Sequence, residues 1–239
     1  MATGLARLAH QGAAEAHRTL ADRAFAALHD AIVAGHLAPG ERLPIEELGE
    51  ALGMSAMPIR EALRRLDAAG LVENIPHRGA RVTQLSIADL AEVYDARLAL
   101  EPLAVRRAAQ SFDAEQAAVA ERRLATLNEL VDRNSPETWA AHTAFHFALY
   151  EAAGSVWLLR VIRPLWETSQ RYRLAVSEPS ELSTRRTEHA TILRACVDHD
   201  PDLAGASLHN HLIRTANLVA QAMGGAPLFA PVIAPSDGS

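Results

Sequence analysis

The chain has 239 residues and a formal net charge of −6, with 49% hydrophobic and 22% charged residues. Those values exclude bulk disorder and collagen-like sequence, and they allow one or two domains with cores of ordinary size. The acidic balance argues against a protein that coats nucleic acid non-specifically, and leaves room for a locally basic reading head.

No run reaches the roughly 18 apolar residues of a membrane span, and Met1 to Ala13 lacks the apolar core of a signal peptide. A cytoplasmic location away from the membrane is therefore expected. Residues 1–17, with Gly4, Gly12 and many alanines but no sustained periodic face, predict a loose arm. From Thr19 to Ala34 the apolar residues Leu20, Ala24, Ala27, Leu28 and Ile32 recur at helical spacing, and Gly35 stops the pattern. A turn is expected at Pro39-Gly40. Pro44 to Leu52 reads as a short helix ended by Gly53, and Ser55 stands where an N-cap opens the next. That next helix carries Ile59, Leu63 and Leu66 on one face, has Pro58 in its first turn, and ends at Gly70. Leu71–Ile75 and Ala80–Thr83 then read as the two strands of a hairpin around residues 76–79. Three helices and a hairpin over residues 18–84 predict a winged helix-turn-helix, a DNA-reading architecture.

Residues near the N-terminus of such a third helix reach base edges in the major groove. Here they are Ser55, Ala56, Met57 and Arg60, with Arg64 one turn on. Arg60 offers the two parallel donors that suit guanine, Met57 an apolar contact for a thymine methyl, and Ser55 a phosphate contact. The competing reading pairs these arginines with Glu61 and Asp67 on a solvated face. His77, Arg78 and Gly79 occupy the hairpin tip, where a cation can meet a minor groove. Residues 18–84 hold 8 Arg against 9 Asp plus Glu, so any basic patch is confined to the third helix and that tip.

The runs Pro39-Gly40-Glu41-Arg42-Leu43, Leu52 to Leu66, Gly70-Leu71-Val72 and Arg78-Gly79-Ala80-Arg81-Val82 together resemble the GntR family of bacterial transcription regulators. The resemblance implies a palindromic double-stranded DNA operator as partner. The family usually places Arg and Thr where this chain has Ala56 and Met57.

From residue 85 to 223 the pattern is helical throughout. Six helices are expected, to about Gln110 with a bend at Pro102, and then at about 113–133, 136–153, 156–176, 181–198 and 201–223. Short connections make them an all-α antiparallel bundle. The Gly/Pro-rich residues 224–239 read as a disordered tail. The fold class expected is thus mainly α, an N-terminal winged helix-turn-helix followed by an all-α antiparallel six-helix bundle. The single cysteine, Cys196, reads as a small buried hydrophobe.

His142, Phe145, His146 and Leu149 follow i, i+3, i+4, i+7, which puts both imidazoles on one inward face with Cβ atoms about 5–6 Å apart. His189 shares an inward face with Ile192, Leu193 and Cys196, and His211 with Leu208, Thr215 and Leu218. His199 and His209 fall off these faces and read as surface residues. Buried imidazoles need partners, and one divalent ion at a bundle axis would satisfy His142, His146, His189 and His211 together. Four neutral ligands favour Zn first, with Ni or Cu next.

The bundle is similar to the FCD-type effector domain of the FadR subfamily, on Arg97 to Ala104, Phe145 to Leu149, Glu188 to Leu193 and the final His211. That likeness implies a homodimer and a metal held by an Asp and three histidines, here His146, His189 and His211. The usual Asp is His142, and the usual Asn is Ser155. It also implies an organic or sugar acid as effector. Arg97, with Glu101 one turn below, is the candidate to fork onto such a carboxylate, the alternative being a surface ion pair between them. The expected function is a DNA-binding repressor controlled by a small carboxylate, and not an enzyme. The rivals are a purely structural metal closed by four histidines and a metal-dependent hydrolase, for which Asp95 and Glu101 are the nearest available bases.

Overall fold

The structure, a computed structural model, describes residues 19–75, 79–130, 135–176 and 182–230. The expected arm, the tip residues His77 and Arg78, and the end of the tail lie outside the described residues. Two compact units are present, one running to residue 86 together with residues 170–175, the other holding residues 87–169 and the chain from 176 onward.

The first unit contains α1 (Leu20–Val33), β1 (Arg42–Leu43), α2 (Ile45–Leu52), α3 (Ala56–Ala68), β2 (Val72–Ile75) and β3 (Gly79–Val82). Thr19 caps α1 reciprocally: its hydroxyl accepts from the Asp22 N–H, and the Asp22 carboxylate accepts from the Thr19 N–H, which satisfies two of the donors left over at a helix start. The same carboxylate pairs with Arg65 of α3 at 2.8 Å, and Arg65 lies over the Phe25 ring at 4.2 Å. α3 is therefore tied to α1 by charge as well as by the core of Leu28, Ile32, Leu48, Ile59, Leu63 and Leu66. Gly53 takes φ +64° between α2 and α3, a left-handed conformation that side chains resist and that sets the turn of the motif.

The hairpin is antiparallel, with Val72 opposite Val82 and Ile75 opposite Gly79. A third strand, not expected from the sequence, pairs Arg42 with Arg81 and Leu43 with Ala80, giving the order β1-β3-β2. Two residues are too short to show an alternation pattern.

The second unit contains α4 (Ile87–Gln110), α5 (Ala114–Leu130), α6 (Pro136–Ala152), most of α7 (Val156–Ala175), α8 (Leu182–Val197) and α9 (Pro201–Ala222). α4 continues through the buried Pro102. Ser135, Ser155 and Asp200 cap α6, α7 and α9. α4 lies along α9, α6 against α4 and α5, and α8 against α4, α5 and α9, so the inward faces of α4, α6, α8 and α9 meet. The expected fold class stands. The tail is corrected in part: the Asn217 side chain of α9 clasps the backbone of Leu228 and Phe229 with three hydrogen bonds of 2.7–3.0 Å. Residues 224–230 are thus folded back and not free. No helix among the described residues is long and apolar enough to cross a membrane.

Candidate nucleic-acid interface and histidine centre

The start of α3 carries Ser55, Ala56, Met57 and Arg60, all exposed, with Met57 at 74% exposure. An exposed apolar side chain at this position could meet a thymine methyl. Ser55 is the N-cap, but its side chain makes no capping hydrogen bond. Its hydroxyl stands beside the first-turn N–H groups, which have no partner within the helix. Arg60 engages no carboxylate among the described residues. Arg64 differs, because its Nε and Nη2 donate to Glu61 at 3.0 and 2.7 Å. The pairing with Glu61 that the competing reading expected is thus present for Arg64, while Arg65 pairs with Asp22, and the Asp67 carboxylate accepts from the Asn74 N–H. Gly79 opens β3 with φ +81°, a left-handed conformation that glycine takes without the strain a side chain would meet.

In the bundle His142, His146, His189 and His211 are buried and come together, their ligand atoms all within 4.8 Å of one another. This group could hold a metal ion. His146 Nε2 and His189 Nε2 are 3.2 Å apart, close to the edge of about 3.3–3.4 Å expected between two nitrogens on one tetrahedral ion with bonds of 2.0–2.1 Å. Trp166 walls the group, stacking on His142 at 5.3 Å and lying 4.9 Å from His146, with its indole N–H donating to Thr143. Phe145 closes another side, 5.2 Å from His146 and 5.1 Å from His189.

Arg97 and Glu101 stand beside this centre, and they are not the surface pair that the sequence allowed. Exposure is 3% and 0%, with Arg97 Nε donating to Glu101 Oε1 at 2.5 Å and Nη2 to Oε2 at 3.1 Å. Arg97 Nη1 donates to Ser169 Oγ at 2.8 Å, and the guanidinium lies over Tyr94 and Trp166. Burial disfavours the cation, but the Glu101 charge outweighs it and raises Arg97 above its ordinary value. Tyr150 connects the pair to the histidines: its hydroxyl donates to Glu101 Oε2 at 2.7 Å and sits 3.2 Å from His146 Nδ1. Burial, and then the Glu101 charge, push Tyr150 well above its ordinary value.

On the other side His211 Nδ1 meets Glu188 Oε2 at 2.7 Å, and Arg214 donates to both Glu188 oxygens at 2.5 and 2.6 Å. Burial pushes the Glu188 carboxyl up, yet hydrogen bonds from His211 and Arg214 win and hold it at about 2. Sequence reasoning missed Glu188, Arg214, Tyr150, Trp166 and Ser169. Tyr150 and Arg214 were findable, at i+4 from His146 and i+3 from His211. Glu188, next to His189 in the chain, points about 100° away from its face and reads as rim. His199 is exposed, and its Nδ1 meets the Ala109 carbonyl; His209 is half-buried, against the expectation of a surface residue. Cys196 is fully buried, and burial pushes its thiol up to about 12.

Residues 20–82 match the profile of bacterial regulatory proteins, gntR family, and residues 92–214 that of the FCD domain. The chain belongs to the GntR family. The HTH-type transcriptional repressor GlaR of Escherichia coli (strain K12) is 29% identical over 83% of this chain and 94% of its own length. The uncharacterized HTH-type transcriptional regulator BphR of Paraburkholderia xenovorans (strain LB400) is 32% identical over 85% of this chain and 86% of its own. Among solved structures, E. coli McbR superposes with a TM-score of 0.74 at 24% identity, covering 86% of this chain and 99% of McbR, a likeness of fold. This GntR regulator is thus a DNA-binding transcriptional regulator with an FCD effector domain, and not an enzyme. Of the two carboxylates nearest to hand for a hydrolase, Asp95 is exposed, and Glu101 is engaged by Arg97 and Tyr150.

Proposed function

We propose that this regulator is a homodimeric, metal-containing repressor that releases its operator when a small carboxylate, an organic or sugar acid, binds in the helical domain. The observation that carries the reading is the meeting of four buried imidazoles beside a buried arginine. His142, His146, His189 and His211 would hold the ion, Zn first and Ni or Cu next. The ion would supply a Lewis-acidic positive centre for an anion, since four neutral ligands leave its charge uncompensated. Arg97 is the side chain placed to take the rest of a carboxylate, on condition that Glu101 yields part of its fork.

Operator binding is assigned to Ser55, Ala56, Met57 and Arg60 of α3, with Gly79 and the adjoining His77 and Arg78 at the hairpin tip. Arg64 contributes once its pairing with Glu61 relaxes. Two heads on a dimer reach half-sites one helical turn, about 34–36 Å, apart. An exposed apolar stripe on α7, Val156, Trp157 and Val161, supports self-association.

Elemental analysis by plasma mass spectrometry, with native mass spectrometry for retained acids, tests the centre. About one Zn, Ni or Cu per chain is expected in the wild type and none in the His146→Ala/His189→Ala variant. A full equivalent of metal in that variant would overturn the site.

A second reading, a structural metal with no effector, is favoured by one observation: Arg97 Nε, Nη1 and Nη2 already have partners. His142→Asp separates the two. A changed response of operator binding to added carboxylates supports the effector reading, and an unchanged absence of response supports the structural one.

A further inference from the structure

Each histidine that could face an ion must present one nitrogen with its lone pair free, and the proton on the other nitrogen decides which one that is. His211 is constrained on this point from outside the histidine group. Its Nδ1 lies 2.7 Å from Glu188 Oε2, a distance at which only Nδ1–H donating to the carboxylate is favourable. Arg214 of α9 donates to both oxygens of the same carboxylate. Glu188 itself stands on α8, one residue before His189. One acidic side chain therefore spans the two helices that carry two of the four imidazoles.

We infer that Glu188 is a positioning residue for the histidine centre: it holds His211 in the Nδ1–H tautomer and so aims the Nε2 lone pair at the ion. The inference rests on the metal reading given above, and it adds a fifth side chain that the ligand set alone does not name. His142 makes the role heavier in this chain, since a His in place of an Asp removes the only carboxylate of the usual set. With His142 as the fourth imidazole, Glu188 is a carboxylate in direct hydrogen-bond contact with one of the four rings. His146 has a weaker counterpart, its Nδ1 standing 3.2 Å from the Tyr150 hydroxyl that leads to Glu101. That link passes through a neutral group, whereas Glu188 touches its histidine directly.

A salt bridge that merely joined α8 to α9 would be lost equally by removing either partner, and this separates positioning from structure. Zn affinity of the full-length protein is measured by competition with a chromophoric chelator for the wild type, Glu188→Gln, Glu188→Ala and Arg214→Met. Loss of a partner to a metal-bound histidine lowers affinity by about 10–100-fold. Glu188→Ala should fall in that range, Glu188→Gln at its lower end, and Arg214→Met within about threefold of the wild type, because His211 keeps its acceptor. Affinity unchanged in Glu188→Ala, or an equal fall in Arg214→Met, overturns the inference.

The metal-free protein supplies an independent arm. Long-range proton–nitrogen correlation spectra should show His211 as the Nδ1–H tautomer in the wild type and as a mixture dominated by Nε2–H in Glu188→Ala. The same tautomer in both overturns the positioning role. Should the wild type take up no metal, the metal reading fails by itself, and this spectrum still decides what Glu188 does.

Discussion

Replacing Glu101 by leucine would leave the Arg97 guanidinium buried, with its charge uncompensated. The wild-type pair is 3% and 0% exposed and joined by two hydrogen bonds. After the substitution, Ser169 Oγ and the faces of Tyr94 and Trp166 remain to Arg97 among the described residues. The Tyr150 hydroxyl also loses its acceptor on Glu101, keeping His146 Nδ1 at 3.2 Å. Removing one member of a buried ion pair costs about 3–5 kcal/mol. At roughly 2–4 °C per kcal/mol for a chain of this size, the helical domain should melt roughly 6–20 °C lower. Scanning calorimetry of the metal-free protein, checked by urea unfolding followed at 222 nm, reads this directly. The double variant Arg97→Met/Glu101→Leu should regain most of the loss, because apolar side chains of similar volume replace a buried pair at little penalty. A loss below about 1 kcal/mol in Glu101→Leu, or a double variant no more stable than the single, would refute the claim that these two charges are a desolvated, mutually dependent pair.

Arg60→Ala should cost about 1–3 kcal/mol of base discrimination, roughly 5- to 150-fold in operator affinity by fluorescence anisotropy. Arg64→Ala should cost less, since Glu61 already holds that guanidinium, and an equal effect of the two would count against the docking of α3. The Cys196 thiol, pushed up to about 12 by burial, should resist alkylation in the native protein at pH 8 and react promptly in urea; fast native labelling would show that the core around α8 opens readily.

The helical period along α1 and α3, and the turn residues Gly53 and Pro58, made the reading head legible from the chain alone. They act through contacts no further than one helical turn, which a linear reading can see. The strand Arg42–Leu43 escaped because its existence depends on β3, some forty residues away. The histidines were legible for the same reason as the head. His142 and His146 share a face by spacing, and a buried imidazole has to find a partner, so their convergence with His189 and His211 could be expected before it was seen.

Local order thus came from the sequence: where helices start and stop, which face turns inward, and that the inward faces carry imidazole. The tertiary structure alone decided who satisfies whom. Arg97 reaches Ser169 across 72 residues, His146 meets His189 across 43, and His211 meets Glu188 across 23. A buried charge or ring nitrogen takes its partner from whichever helix packs alongside it. That neighbour is set by the joint packing of all six helices and not by any run of residues that can be read in order.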